Sequence, residues 1–240
     1  MKDGVKTAIL TPFRNNERHI PKYIEQALAL VHHRHWLRWV LVEGDSTDNT
    51  LPLLQAWAAD DSRVEIVKCD TGKPHYGSVV HPERFEILAQ VFNAGLEAAI
   101  YDAWADYVLF IPSAVIYKPD TLARLLSCKK DIISPMFWIV DHEGDPVVNA
   151  NGLRFYDIWG FVREGKPFPP MGPAWFRSHL PNEPVQMDTT GGMMLYRAEV
   201  ARRGARYTKK EVDHGFCRSA SALGFEVWCD PSTHILHGER

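Results

Sequence analysis

The first half of the chain alternates between short apolar runs and longer segments in which apolar residues recur at helical spacing. Four runs have the length and composition of buried strands, at 6–10, 39–43, 63–69 and 107–111. Three intervening segments have the spacing of helices, at 21–36, 46–61 and 84–104. Strands that alternate with helices of this length predict an α/β fold, in which helices cover both faces of a parallel sheet.

Beyond residue 130 the apolar segments are no longer separated by long helices. Three of them are predicted strands, at 131–140, 147–156 and 191–200. A short helix is predicted over 213–224, because Gly224 suits the position just after a helix, and a last strand over 225–231. The 240 residues contain no linker or repeat, and this length suits one large α/β domain.

Charge and cysteine content exclude several classes of protein. A net charge of −3 gives no overall attraction to nucleic acid or anionic membranes, and the basic run at 202–210 is interpreted as a solvated face. No apolar stretch approaches the ~18 residues of a membrane span, and the first residues lack the apolar region of a signal peptide. The four cysteines form no CxxC pair, which favours reduced thiols. We therefore expect a soluble, cytoplasmic protein.

The segment VLVEGDSTDNT, at 40–50, places three carboxylates in one loop after an apolar strand. Carboxylates at a strand end can accept hydrogen bonds from ribose hydroxyls or a base N–H. Asp45, Ser46 and Asp48 are also typical residues for capping the following helix. Capping does not require Glu43, so this residue is the stronger candidate for binding a nucleotide.

The order of several motifs resembles the GT-A-fold, family-2-like glycosyltransferases. In order along the chain, the motifs are AILTPF, LVEGDSTDNT, NAGLEAA, DYVLFI with KPDTL, DTTGGMMLYRAEV and EVDHGFCRSASALGFEVWCDPSTHILH. The segment FYDIWGF is most similar to fungal mannan-polymerase and capsule-associated mannosyltransferases. The resemblance spans nearly the whole chain and implies a Rossmann-like GT-A fold as one domain, 1–240. Its parallel half, 1–126, would bind a nucleoside-diphosphate sugar, and its mixed-sheet half, 127–240, would bind the acceptor.

The resemblance also assigns donor-binding residues, which lie at the ends of the predicted strands or in the loop at 69–84. They are Thr11, Pro12, Arg14, Glu43, Asp45, Lys73, Arg84 and Ser113. Arg84 suits a phosphate better than Lys73 does, because the planar guanidinium can bind phosphate through two parallel hydrogen bonds. The donor could be a UDP-sugar or a GDP-sugar, since Glu43 suits uridine and FYDIWGF resembles mannosyltransferases.

The strand end after 107–111 departs from the family. Relatives carry an Asp-x-Asp here that holds Mn²⁺ or Mg²⁺ on the diphosphate, whereas this chain has Pro112-Ser113-Ala114. A hard cation requires oxygen ligands, and Ala114 provides none in its side chain. Three explanations remain open: basic side chains replace the metal, a metal is held elsewhere with His237 as a ligand, or catalysis has been lost.

The acceptor side carries the candidate base. Asp213 and Glu211 lie just before a predicted helix, whose N-terminal end favours an ionised carboxylate. By resemblance one of them acts as the general base toward an acceptor hydroxyl. Asp213 fits best and Glu211 is the second choice, although plain N-capping is an alternative role for Asp213. The candidate sugar-binding residues share aromatic, acidic or small side chains: Tyr156, Asp157, Trp159, Asp188, Gly191 and Gly192.

The sequence thus predicts a glycosyltransferase that moves a sugar to a hydroxyl of unknown type. A glycan, a small molecule, a protein and a modified nucleic-acid base all remain possible acceptors. The alternative is a non-catalytic module that binds a sugar nucleotide or glycan on the same scaffold. A third hypothesis is structural zinc, because His214, Cys217, His234 and His237 have spacing compatible with a zinc site.

Overall fold

The computed structural model of the chain describes residues 4–76, 81–140, 147–149, 152–153, 160–168 and 178–238. In its first part, strands and helices alternate in the predicted order. The strands are β1 (Thr7–Phe13), β2 (Leu37–Glu43), β3 (Val64–Lys68), β4 (Tyr107–Phe110) and the short β5 (Val115–Ile116). The helices are α1 (Ile20–Ala29), α2 (Thr50–Asp60), α3 (Pro82–Ile100) and α4 (Thr121–Ser127).

The remaining described residues contain mostly strands. These are β6 (Ile132–Val140), β7 (Val148–Asn149), β8 (Gly152–Leu153), β9 (Val162–Arg163), β10 (Lys166–Pro167), β11 (Val185–Met187), β12 (Met194–Arg197) and β13 (Val227–Gly238). Two further helices are α5 (Ala198–Arg202) and α6 (Val212–Ala222). The predicted strand at 191–200 is therefore only half right, because its second half folds as α5.

One mixed sheet contains strands from both halves of the chain. Its order is β11-β13-β6-β12-β4-β1-β2-β3, with β5 paired to β13. The strands β3, β2, β1 and β4 run parallel, and β12 joins them to β6 by antiparallel pairing on both sides. The prediction of an α/β fold with a parallel N-terminal half is thus confirmed.

β1 and β4 separate after the pair Leu10–Phe110, whereas β1 stays paired with β2 to the pair Phe13–Glu43. Pro12 lies where β1 has no ladder partner on the β4 side, a position that tolerates a residue without an N–H group. β1 has β2 on one side and β4 on the other. The chain proceeds from β1 to β2 and β3 and then crosses back to β4, so the strand order reverses at β1. Ligands bind at such a switch point in open α/β sheets.

The prediction of one helix over 21–36 is wrong in its second half. α1 ends at Ala29, because the next residues bond to other parts of the fold instead of to the helix. The N–H of Val31 donates to the carbonyl of Pro119 at 2.8 Å, and a ring nitrogen of His32 lies 2.7 Å from the carbonyl oxygen of Val5. Of the helices that the structure describes, none has both the length and the apolar character to cross a membrane.

Candidate functional site

A cavity of about 650 Å³ opens beyond the carboxyl ends of β1, β2 and β4. Its donor-side wall includes Pro12, Arg14, Asp45 and Ser113, each from one of these strand ends. The opposite wall comes from the segment at the start of α6 and from the end of β13. This cavity therefore brings together residues that lie about 200 positions apart in the chain.

The loops after β1 and β2 are tied together by polar side chains. The Asn15 side-chain oxygen accepts the Thr47 N–H at 2.7 Å, and the Asn15 N–H donates to the Ser46 hydroxyl at 3.1 Å. Asp48 accepts the N–H of Thr50 at 3.0 Å and the N–H of Glu17 at 3.1 Å. The predicted capping residues of α2 thus also position the loop that carries Arg14.

Asp45 holds the loop that follows β3. Its carboxylate accepts the N–H groups of Thr71 at 2.9 Å and Gly72 at 3.1 Å, and also the Thr71 hydroxyl. Burial raises the pKa of Asp45, but these hydrogen bonds and the Arg14 charge lower it by more, so the carboxyl is ionised at neutral pH. Asp45 therefore acts as an anion that shapes the donor-side wall.

Arg14 connects the same two loops. One guanidinium nitrogen lies 3.8 Å from the Asp45 carboxylate, and another donates to the carbonyl of Lys73 at 2.6 Å. The contribution of Lys73 here is its backbone, while its side chain is exposed and does not line the cavity. The predicted phosphate contact of Lys73 is not supported by this placement.

Thr11 and Glu43, which the sequence assigned to the nucleotide pocket, lie beneath it and do not line it. The Thr11 hydroxyl is buried and lies 2.7 Å from the Tyr23 hydroxyl. Glu43 is 1% exposed and forms an ion pair with Lys68, its neighbour in the register of β2 and β3. A buried carboxylate requires such a partner, so Glu43 has a structural role in this arrangement.

The strand end at Pro112-Ser113-Ala114 has no set of ligands for a divalent cation. The Ser113 hydroxyl donates to the side-chain oxygen of Asn16 at 2.7 Å. Across the described parts of the chain, no three His, Cys, Asp or Glu side chains come close enough together to hold a metal ion. This strand end therefore lacks the carboxylates that the sequence resemblance implied for a Mn²⁺ or Mg²⁺ site.

Asp213 lies in the first turn of α6 and faces the cavity. One carboxylate oxygen accepts the N–H of Gly192 at 3.0 Å, which sets the orientation of the side chain. Glu211 also lines the cavity, but Arg218 donates to both of its oxygens at 2.6 and 2.8 Å. The geometry favours Asp213 over Glu211 as the group that faces a substrate.

Gly192 is required by its backbone and by its surroundings. Its φ is +66°, and a Cβ at this position would lie 2.5 Å from Cζ of the fully buried Phe137 ring.

Gly192→Ala is expected to lower the free energy of unfolding by about 2 kcal/mol, from left-handed strain and overpacking together. Urea unfolding would measure this loss in the free energy of unfolding. Gly224→Ala is the matched control, because φ is +89° there and a Cβ has open space. Equal losses in the two variants would exclude the contact with Phe137 as a cause.

The other predicted residues have mixed placements. Arg84, in the first turn of α3, and His237, near the end of β13, both line the cavity. Asp188 is exposed and accepts the N–H of Gly165 at 2.7 Å, and neither it nor Gly191 lines the cavity. Tyr156, Asp157 and Trp159 lie outside the described residues.

The arrangement does not support the zinc hypothesis. The Cys217 thiol is buried and lies 3.6 Å from the carbonyl oxygen of Thr190. A ring nitrogen of His234 lies 2.9 Å from the carbonyl oxygen of Pro231. Two of the four side chains that would share a zinc ion thus have other partners.

The basic residues of the run at 202–210 are exposed or half-buried, as a solvated face predicts, and its arginines also contact neighbouring groups. Arg206 pairs with Glu97 at 2.6 Å, Arg202 donates to the Ala105 carbonyl at 2.8 Å, and the Arg203 guanidinium lies over the Phe225 ring. Lys210 differs from these three, because it lines the cavity.

Sequence reasoning missed the apolar wall of the cavity. This wall is one face of α3 and consists of Phe85, Leu88, Val91 and Phe92, with Ile87 beside them. Their spacing of three and four residues was visible in the sequence, but it is also the spacing of an ordinary core-facing helix. Asn16, His75, Tyr76 and Lys210 also line the cavity and were not predicted as site residues.

No protein family and no curated protein matches the sequence. Solved structures do match. TarS of S. aureus in complex with UDP-GlcNAc is 13% identical with a TM-score of 0.61, over 98% of this chain and 59% of TarS. The mannosyltransferase PcManGT from Pyrobaculum calidifontis, in complex with GDP-Man and Mn²⁺, is 14% identical with a TM-score of 0.61, over 98% of this chain and 57% of PcManGT.

A third match is GalNAc-T7 with UDP, GalNAc and Mn²⁺. It is 11% identical with a TM-score of 0.66, over all of this chain and 44% of GalNAc-T7. The chain thus spans about half to three fifths of the length of these neighbours. Similarity to mannan-polymerase enzymes in particular is not among these findings. Together with the sheet order, the matches show that this chain has the GT-A glycosyltransferase fold.

Proposed function

We propose that this protein transfers a sugar from a nucleoside-diphosphate sugar to a hydroxyl group. The observation that carries the proposal is the position of Asp213. A carboxylate oriented by the Gly192 N–H faces a cavity at the switch point of the sheet, opposite the donor-side loops. The fold neighbours are solved with UDP-GlcNAc, GDP-Man or UDP, which supports a donor of this chemical class.

In the proposed reaction Asp213 accepts the proton of the acceptor hydroxyl. The hydroxyl oxygen forms a bond to the anomeric carbon of the sugar, and the bond from that carbon to the diphosphate breaks. A positioned base of this kind contributes about 10²–10⁴-fold in rate. The hydrogen bond from Gly192 keeps the carboxylate in one orientation, which reduces the reorganisation needed at the moment of transfer.

A second candidate function is binding of a sugar nucleotide without catalysis. The observation that favours it is the segment Pro112-Ser113-Ala114, which lacks the carboxylates of catalytic relatives. Both candidates predict that the donor binds, and only the first predicts that the wild type turns the donor over and that Asp213→Asn slows this turnover. Measuring both donor binding and donor turnover therefore separates the two candidate functions.

Sugar nucleotides are expected to raise the thermal stability of the protein. A ligand at 100 times its dissociation constant adds about 2.7 kcal/mol to the free energy of unfolding. Thermal unfolding would be followed with UDP- and GDP-sugars, each with Mn²⁺, with Mg²⁺ and with EDTA. Free glucose and free uridine are the controls, since neither carries a diphosphate. If no sugar nucleotide shifts the transition under any condition, the proposed donor class is wrong.

A further inference from the structure

We infer that the donor diphosphate is neutralised by Arg84 and Lys210, from opposite walls of the cavity, and not by a divalent cation. The inference rests on the proposed function and specifies how its donor is held. It differs from the arrangement of the neighbours PcManGT and GalNAc-T7, whose structures contain Mn²⁺.

The carboxylates of the cavity already bind protein groups. Both oxygens of Asp45 accept hydrogen bonds, from Thr71 and from Gly72, and Arg14 supplies a further positive charge. Both oxygens of Glu211 accept hydrogen bonds from Arg218. As metal ligands, these two carboxylates could offer only their remaining lone pairs, because each already accepts hydrogen bonds from the loops or the arginine that it holds.

One oxygen of Asp213, the third carboxylate of the cavity, accepts a hydrogen bond from the Gly192 N–H. Asp213 alone would give a cation on the diphosphate a single carboxylate, the minimum that proteins use together with substrate oxygens. Moreover, Asp213 is required as the base, and a bound cation would lower its ability to accept a proton. At the usual strand end, Ser113 provides only a hydroxyl, which is already bonded to Asn16.

The cations of the cavity are placed on two walls. Arg84 lies in the first turn of the 19-residue helix α3, where the helix dipole adds partial positive charge. Lys210 lies just before α6, next to the segment that carries Asp213, and its side chain is exposed at the cavity. A diphosphate between them would meet a bidentate donor from one side and a flexible ammonium from the other.

The two walls are connected by one side chain of α3. The Asn93 amide donates to the Tyr207 carbonyl at 2.9 Å, and the Tyr207 N–H donates to the Asn93 side-chain oxygen at 3.0 Å. Because Tyr207 lies three residues before Lys210, this pair of hydrogen bonds restrains the position of Lys210 relative to α3. The segment that carries Lys210 is therefore tied to the helix that carries Arg84.

The test is titration calorimetry of UDP and GDP with the full chain, in EDTA and in Mn²⁺. We expect the dissociation constant of the preferred nucleotide to differ by less than about threefold between the two conditions. Arg84→Gln and Lys210→Gln should each weaken binding by about tenfold to a hundredfold, as expected for loss of a hydrogen bond to a charged group. Arg84→Lys should recover part of the loss. Lys166→Gln, an exposed lysine of β10, is the matched control and should bind as the wild type does.

The outcomes are distinguishable. Binding that disappears in EDTA and returns with Mn²⁺ would overturn the inference and leave the proposed function in place. Full-strength binding by Arg84→Gln and Lys210→Gln would also overturn it. If neither nucleotide binds in either condition, the proposed function fails, and the inference fails with it. Thermal unfolding of each variant shows whether a loss of binding reflects a loss of folding.

Discussion

Asp213→Asn is expected to lower the turnover of a sugar nucleotide by about 10²–10⁴-fold, the typical contribution of a positioned general base. The asparagine side chain keeps an oxygen that can accept the Gly192 N–H, so the fold and the shape of the cavity should be preserved. What the variant loses is the ability to take a proton. The measurement is donor consumption under saturating conditions, with the unfolding transition followed in parallel.

Two variants accompany this experiment. Asp60→Asn changes an exposed carboxylate at the end of α2 and should leave turnover unchanged. Glu211→Gln should reduce turnover by less than Asp213→Asn does, because Arg218 already occupies both oxygens of Glu211. A larger loss in Glu211→Gln would assign the base to that residue instead. Donor binding without turnover by the wild type would favour the binding module, and equal turnover by the wild type and Asp213→Asn would exclude Asp213 as the base.

Arg124→Met is expected to lower the free energy of unfolding by about 3 kcal/mol at neutral pH. Asp230 is 0% exposed, and Arg124 donates to its carboxylate at 2.9 and 3.2 Å. Removing one member of a buried pair leaves an uncompensated charge, which costs about 3–5 kcal/mol. The lower end applies here, because Arg124 is partly exposed and Asp230 keeps the hydroxyls of Ser232 and Thr233.

The pair also predicts a pH dependence. Burial raises the pKa of Asp230, but the hydrogen bonds from Arg124, Thr233 and Ser232 lower it by more, so its folded-state pKa lies below the unfolded value of about 3.9. The resulting stabilisation is fully present above that value and is lost as the pH falls through the lowered pKa. Arg124→Met removes one of the interactions that lower this pKa, so the difference in stability between wild type and variant should be largest at neutral pH and should shrink as the pH falls through the lowered pKa.

Urea unfolding between neutral and acidic pH would measure both effects. Arg163→Met is the matched control, because Arg163 pairs at 3.7 Å with the exposed Glu164. A surface pair of this kind contributes about 0–1 kcal/mol. If Arg124→Met and Arg163→Met lose the same small amount, the buried pair does not stabilise the fold as described.

The sequence predicted the parallel half of the fold well, because each of its strands is a continuous apolar run between polar segments. β13 was predicted too short, since Asp230 and Pro231 look like the end of a strand. In the structure a shift of register between Asp230 and His234 absorbs the interruption, and the strand continues to Gly238. The sequence contains the polar residues of such a bulge, but not the partner strand that continues the pairing.

Placement at the cavity could be predicted where one strand end sufficed and could not be predicted where a neighbouring strand decides. Arg14 and Asp45 follow the ends of their strands and line the cavity as expected. Glu43 does not, because the register of β2 with β3 places Lys68 beside it. That register depends on tertiary packing, so no local pattern around Glu43 could have revealed the ion pair.

The hydrogen bonds between Asn93 and Tyr207 have a geometric consequence for substrate choice. α3 carries Arg84 in its first turn, and Asn93 lies further along the same helix at an axial distance of about 14 Å, at 1.5 Å per residue. Since Asn93 holds the segment that precedes Asp213, α3 sets the separation between the proposed phosphate contact and the proposed base. Any donor must then place its anomeric carbon within the separation that α3 sets.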